Sequence, residues 1–289
     1  MCILQTPEEY WRSEALDLLV ERFGRSERAP DASPHSNGRA AEALAPDIPD
    51  LVRLHRLIRE RMATTVLEFG VGFSTVVMAD ALAKNQMDYE ALPRPPSLRN
   101  CHAFRLFSID ANRHWIAETR RRLPPHLSER VEISYSRVLA GTFNGRLCHR
   151  FERLPNVVPD FVYLDGPAPR DVEGSVNGLD FSIDERTVMS ADLLLMESTL
   201  LPRTFIVVDG RTNNARFLRC NFQRRFVCHE DAAADVTTFE LDEPPLGRAS
   251  VDLASLVAAN RKGLPASSGR QLPPSINRSG ASRSSAVHF

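Results

Sequence analysis

The chain has 289 residues, 43% of them apolar and 25% charged, with a formal net charge of −1. That is enough to bury a full core in one or two domains, and the balanced charge excludes a global field that would draw it to nucleic acid or a membrane surface. Lys84 and Lys262 are the only lysines, so a lysine general base in the middle of the chain is nearly excluded. The five cysteines (Cys2, Cys101, Cys148, Cys220 and Cys228) are odd in number and form no C-x-x-C pair. Reduced thiols fit that pattern better than a disulfide framework or a zinc knuckle. No apolar run reaches the ~18 residues of a membrane span. The N-terminal stretch carries Glu8 and Glu9 and lacks the apolar core of a signal peptide. The expectation is a cytoplasmic protein without membrane association.

In chain order, Thr6-Pro7-Glu8-Glu9 is a helix start with a Thr cap, Pro at the first helical position and Glu three residues after the cap. Trp11, Ala15, Leu18, Leu19 and Phe23 fall on one face and Gly24 stops the helix. Residues 1–24 are therefore an amphipathic helix that packs on the main domain or joins two copies as a homodimer. Residues 25–46, rich in Ser, Pro, Ala and Arg, read as a flexible linker or lid. From Asp47 to about residue 245 strands alternate with helices. A helix over 48–62 leads to the strand Thr65–Phe69, and Thr75–Lys84 is helical. Residues 85–103 form a proline-containing insertion loop, and 104–109 is a second strand closed by Asp110. Asn112–Leu123 is a helix, Val131–Tyr135 a third strand, and Asp160–Leu164 a fourth. Ser182-Ile183-Asp184-Glu185 is a capping box opening a helix through about Ser198. Thr204–Val208 is a fifth strand, 213–222 a helix, and 225–229 with 236–241 a closing antiparallel pair. This is a Rossmann-like α/β fold: a doubly wound, mostly parallel sheet with an antiparallel edge pair and helices on both faces. Residues 246–289 are basic and rich in Ser and Pro, with a short helix near 251–260 and disorder elsewhere.

The stretch Val66-Leu67-Glu68-Phe69-Gly70-Val71-Gly72-Phe73-Ser74-Thr75 organises the domain. It is a buried strand, a glycine turn and a helix start, with an acid two residues before the first glycine. No lysine follows, so a phosphate loop fails. Thr75 stands where a dinucleotide fingerprint carries its third glycine. S-adenosylmethionine fits better, because its charged end is an amino acid. Glu68 can face its ammonium or the network around it. Gly70 and Gly72 admit the ligand to the backbone, and the helix N-terminus offers free N–H groups. Asp110, ending the second strand, is placed to accept from both ribose hydroxyls. The alternatives at these positions are a structural glycine turn and an Asp that caps the next helix.

With E-F-G-V-G-F-S as first motif, the chain resembles the class I S-adenosylmethionine-dependent methyltransferases over residues 47–245. The resemblance implies cofactor contacts at Glu68, Gly70, Gly72, Ser74, Thr75, Asp110, Ser136 and Asp165, with Arg137 and Val138 flanking the adenine. Asp165 and Asp209 end neighbouring strands and are the candidates for proton removal from an acceptor. Their placement also resembles the magnesium-dependent, catechol-type branch, where two such acids and an Asn hold the ion. Here Gly210 follows Asp209 and the assisting lysine is missing, so a cofactor site without Mg²⁺ is preferred. Arg211, Asn213 and His102 are candidate substrate contacts, His102 by reaching over the site from its loop.

The expected function is methyl transfer to oxygen of a small molecule or sugar-containing metabolite by in-line displacement. The core lacks a basic stripe with interleaved aromatics, which argues against a nucleic-acid substrate. One alternative is a binding or scaffold protein that keeps the cofactor fold without turnover. A nicotinamide oxidoreductase is disfavoured by Glu68 and Thr75.

Overall fold

The computed structural model describes residues 5–24, 46–245 and 251–262. The linker expected at 25–46 and the tail beyond residue 262 lie outside these, apart from Pro46. The N-terminal segment is two helices, not one: α1 (Pro7–Ser13) and α2 (Leu16–Gly24). Ala15 breaks them with φ +55°. The break rotates the apolar face, so Leu16 and Val20 turn inward and Leu18 stands 66% exposed, against the expectation from a continuous helix. Tyr10, Trp11, Leu16 and Val20 pack with Leu51, Val52 and Val77 of the same chain. Of the face expected from the sequence, Trp11 and Phe23 are buried within the chain, while Leu18 stays exposed.

Next come α3 (Ile48–Arg61), β1 (Thr65–Phe69), α4 (Phe73–Glu90), β2 (Arg105–Asp110), α5 (Arg113–Arg122), α6 (Pro125–Ser128) and β3 (Val131–Tyr135). Asp47 caps α3 and Asn112 caps α5, each accepting a backbone N–H from its first turn. α4 runs six residues past the expected Lys84, because nothing in 85–90 breaks a helix. Buried Asn85 instead donates to the carbonyls of Ile58 and Ala63 at 3.0 and 2.9 Å, tying α4 to the end of α3. The insertion loop is correspondingly shorter.

Two strands not expected from the sequence follow: β4 (Val138–Phe143) and β5 (Arg146–Phe151), an antiparallel hairpin. Its turn residues Asn144 and Gly145 have φ +48° and +71°, the pair of left-handed conformations that Asn-Gly supplies in a tight hairpin. The rest of the order is β6 (Phe161–Leu164), the short β7 (Val172–Glu173), α7 (Asp192–Met196), β8 (Phe205–Asp209), α8 (Thr212–Asn221), β9 (Phe226–Asp231), β10 (Val236–Leu241) and α9 (Leu253–Arg261). The helix expected over 182–198 shrinks to α7. Ser182 bonds Asp180 instead of capping a helix, and residues 189–191 are drawn into extended pairing with His149 of β5. α9 sets Leu253 and Val257 against Met62 and Leu92.

The main sheet has seven strands in the order β3-β2-β1-β6-β8-β10-β9; β10 is antiparallel to both neighbours, and the pairs from β3 through β8 are parallel. It is the doubly wound α/β fold. The pleat sorts side chains by parity. Leu67, Phe69, Phe107, Ile109, Val162 and Leu164 face a core shared with the hairpin, α7 and α8. Val66, Leu106, Phe161, Tyr163 and Val207 face the opposite core, under α3 and α4. Glu68, Ser108 and Asp209 share the second parity. β1 has β2 on one side and β6 on the other, so the chain winds away in both directions from its carboxyl end and leaves a crevice there.

Candidate functional site

The glycine turn leaves β1 at this crevice. Gly70 has φ +115° and donates its N–H to Ile109 O at 2.9 Å, which fixes the turn beside the end of β2. The turn after β6 crosses it closely. Gly166 N–H donates to Phe69 O at 2.6 Å, and a Cβ on Gly166 would stand 2.9 Å from Gly70 N. Gly72 differs: a Cβ there would meet nothing within 4 Å, so it borders open space. It caps α4, and its N–H donates to Thr75 Oγ1 at 3.0 Å.

Glu68 is fully buried under this turn. Its carboxylate accepts from Ser74 Oγ at 2.5 Å, Thr75 Oγ1 at 2.8 Å and Ser108 Oγ at 2.5 Å. Burial pushes its pKa up to about 7, against the pull of the three hydroxyls. Glu68 therefore stitches the start of α4 to β2, and Ser74 and Thr75 spend their hydroxyls on it. Of the two roles expected for this acid, its bonds serve the surrounding network.

Asp110 ends β2 half-buried and accepts the Asn112 N–H at 2.6 Å. The N–H of Val71 in the glycine turn also favours its charged form. Burial dominates and raises its pKa to about 6, with Asp171 adding repulsion. Ser136 is buried, and its hydroxyl accepts the Arg153 N–H at 3.0 Å and donates to Arg137 O at 3.1 Å, holding the chain between β3 and β4. Val138 is wholly in the core, and Arg137 pairs with Glu173 at 2.6 Å.

Asp165 and Asp209 line one open cleft of about 500 Å³ with Gly210, Arg211, Thr187 and Val188. Asp209 accepts from Tyr163 OH at 2.7 Å through Oδ2 and does not cap α8. Burial raises its pKa to about 6, the Tyr163 bond opposes this, and the Asp165 charge adds to it. The Asp165 side chain is 53% exposed to the cleft. The crowded concave site still raises its pKa, offset by Arg211. Arg211 donates to the carbonyls of Asp165 and Pro167, the latter at 2.9 Å, and lies 3.7 Å from the Asp165 carboxylate. It pairs with Asp165, not Asp209, and clamps the turn after β6.

Asn213 lines the cleft and donates to Thr187 Oγ1 at 3.2 Å. Asn214 is buried, its Oδ1 accepting the Ser190 N–H at 3.0 Å. Asn214 is turned to Ser190, whereas Asn213 lines the same cleft as the two acids. Among the described residues no group of three or more His, Cys, Asp or Glu is arranged to hold a metal ion. Tyr163 on one acid and Arg211 against the other fit a cation poorly.

His102 is a correction. Its carbonyl accepts from Thr65 Oγ1 at 3.0 Å, at the amino end of β1, and its ring packs on Phe107 with centroids 5.3 Å apart. The glycine turn leaves the other end of β1, roughly 13 Å away at the rise of a strand, so His102 does not reach over the site. The sequence did not single out Tyr163, the partner of Asp209, or His149 on β5, which is fully buried behind the cleft wall. Tyr163 shares the parity of Asp209 on the neighbouring strand, a signal available once strand order is known.

No helix among the described residues is long and apolar enough to cross a membrane. No family model and no curated protein matches the sequence. Among solved structures the chain is similar to the O-methyltransferase TomG from Streptomyces achromogenes, solved with S-adenosylmethionine. The identity is 18% over 69% of this chain and 82% of that one, with a TM-score of 0.38. It is similar to an O-methyltransferase from Bacillus cereus at 15% identity, covering 83% and 93%, with a TM-score of 0.36. It is also similar to a Podospora anserina methyltransferase, PaMTH1, at 14% identity, covering 84% and 100%, with a TM-score of 0.41.

Proposed function

We propose that the chain is an S-adenosylmethionine-dependent methyltransferase acting on an oxygen of a small-molecule acceptor. The observation that carries this reading is the joining of the glycine turn to Asp110. Gly70 bonds Ile109 O, the Val71 N–H favours the Asp110 carboxylate, and Gly72 faces open space at the switch point of the sheet. A nucleoside with two hydroxyls and an amino-acid end fits such a crevice. Asp110 would accept from the ribose hydroxyls, Gly72 would let the ligand approach the backbone, and the leading N–H groups of α4 would meet its carboxylate. Glu68 supports the turn from below. When bound, the cofactor supplies an electrophilic methyl group.

The acceptor would lie in the cleft beside Asp165 and Asp209. The Asp209 pKa of about 6 leaves it ionised at neutral pH. Among the described residues Oδ2 is held by Tyr163 OH, leaving Oδ1 to take the acceptor's proton. Arg211 fixes the turn that carries Asp165, which sets the wall between the crevice and the cleft.

Calorimetry with S-adenosylmethionine, and with NAD as control, tests the reading. Binding of the sulfonium at submillimolar concentration, with no heat from NAD, is the expected result. Absence of sulfonium binding would overturn it.

A further inference from the structure

Thr187 and Asn213 line the cleft beside Asp165 and Asp209, and they also line a second, open groove of about 530 Å³. Asn213 Nδ2 donates to Thr187 Oγ1 at 3.2 Å. This bonded pair is a sill shared by the cleft and the groove, so an elongated ligand lying across it would occupy both. One face of α8 carries the groove onward. Arg216 and Phe217 follow Asn213 by three and four residues, and all three line it. Arg216 stands about 4.5 Å further along the helix axis than Asn213.

The groove has an apolar base and a cationic rim. Phe217 is buried and stands edge-on to Phe143 of the hairpin, centroids 6.5 Å apart. Asn144 Nδ2 donates to Asn221 Oδ1 at 3.4 Å, which brings the hairpin turn, and with it Arg146, against the end of α8. Arg146, Arg186 and Arg216 thus reach the groove from β5, from the irregular chain before α7 and from α8. Among the described residues none of the three makes an ion pair. Arg219, one turn further along α8, pairs instead with Glu230 at 3.2 Å. Arg186 is half-buried and donates to the Asp180 carbonyl, which orients the guanidinium without neutralising it. The Asp180 carboxylate is taken by Ser182, whose N–H and hydroxyl donate to it at 3.0 and 2.7 Å. Glu185 is the one acid lining the groove among the described residues, against three arginines. The groove therefore holds two positive charges in excess, on a chain whose formal net charge is −1.

We propose that the acceptor carries a phosphate monoester, which Arg146, Arg186 and Arg216 hold in this groove while the reacting hydroxyl lies beside Asp209. This rests on the methyltransferase reading of the cleft. A phosphate dianion matches the excess charge, and guanidinium forks fit its oxygens in pairs. A carboxylate would match only half of that excess, and a neutral acceptor none of it. The apolar base beside Phe217 takes the body of the ligand between the two ends. The three arginines orient the acceptor, and proton removal stays with Asp209.

Calorimetric titration of the full chain at low salt with phenyl phosphate, benzoate and phenol, each without S-adenosylmethionine, tests the proposal. Phenyl phosphate is expected to bind at least tenfold more tightly than either of the others. It should weaken at least tenfold in Arg216→Gln and in Arg186→Gln, the latter keeping a donor for the Asp180 carbonyl. Arg216 is exposed and spends no bond on the fold. Arg216→Gln should therefore melt like the wild type and keep its affinities for phenol and S-adenosylmethionine. Equal affinity for phenyl phosphate and benzoate would overturn the proposal. So would unchanged phenyl phosphate affinity in either variant, which would place the anion elsewhere, as at the N-terminus of α4. Failure of S-adenosylmethionine to bind the wild type would instead overturn the functional reading, since phenyl phosphate is titrated without it.

Discussion

Asp209 gives one oxygen to the Tyr163 hydroxyl and leaves the other toward the cleft. Asp209→Asn keeps an acceptor for that hydroxyl and removes only the charge. It should preserve folding and S-adenosylmethionine affinity while lowering turnover at least tenfold, read by calorimetry and a methyl-transfer assay. Asp209→Ala leaves a buried hydroxyl unpaired and should in addition cost about 1–3 kcal/mol of stability. Asp110→Ala should do the reverse of Asp209→Asn, weakening cofactor binding by about 1–3 kcal/mol through lost charge-assisted bonds. Equal affinity in calorimetry would reduce Asp110 to a turn residue bonded to Asn112. The places of Asp110, Asp165 and Asp209 were legible in the sequence, because a residue that closes a parallel strand lies at the carboxyl end of the sheet. His102 was misplaced, although its loop leads from α4 into β2 and therefore lies at the amino end of the parallel strands, opposite the crevice. Glu68 was singled out in the sequence, but its bond from Ser108 required the pairing of β1 with β2.

The turn elements separate two kinds of glycine. A methyl group on Gly166 would press on Gly70 N at 2.9 Å and Phe69 O at 3.0 Å, both backbone atoms. Gly166→Ala should therefore shift the turn and lower stability by roughly 1–3 kcal/mol. Gly72→Ala meets open space and should melt like the wild type, yet weaken cofactor binding because its methyl group stands where the ligand approaches. Thermal melts paired with calorimetry separate these outcomes. Equal melting of both variants, or unchanged binding in Gly72→Ala, would contradict them. β1, β2, β6 and β8 were readable because their buried apolar runs end in an acid or a glycine. The hairpin of β4 and β5 was missed although Asn144-Gly145 marks its turn, since its strands alternate only weakly between buried and exposed residues. The helix expected over 182–198 failed for the opposite reason. A sound local capping signal lost to long-range pairing of residues 189–191 with β5.

At the scale of the whole molecule, the fold keeps several acids protonated longer than the unfolded chain does. Burial raises Glu68 and Asp192 to about 7 and Asp110 and Asp209 to about 6, from ordinary values of 4.5 for Glu and 3.8 for Asp. Between the ordinary and raised values the folded state holds protons that the unfolded chain has released. Stability therefore falls as pH rises through that window. His149 and His55 act with the other sign, because burial lowers both from 6.5 and the unfolded chain binds their protons more readily as pH drops. Above pH 6.5 those imidazoles are mostly neutral in both states, which leaves Glu68 and Asp192 to set the slope. The melting temperature should thus decline from about pH 6.5 to about pH 8, in the range where one such group contributes up to about 1.4 kcal/mol per pH unit. Glu68→Gln keeps the side-chain shape under the turn and removes the ionisation. Its profile over the same range should be flatter than the wild type by roughly 1 kcal/mol. An equally steep variant, or a flat wild-type profile, would mean that Ser74, Thr75 and Ser108 hold Glu68 charged throughout, and that the turn above the cofactor crevice rests on a buried carboxylate anion.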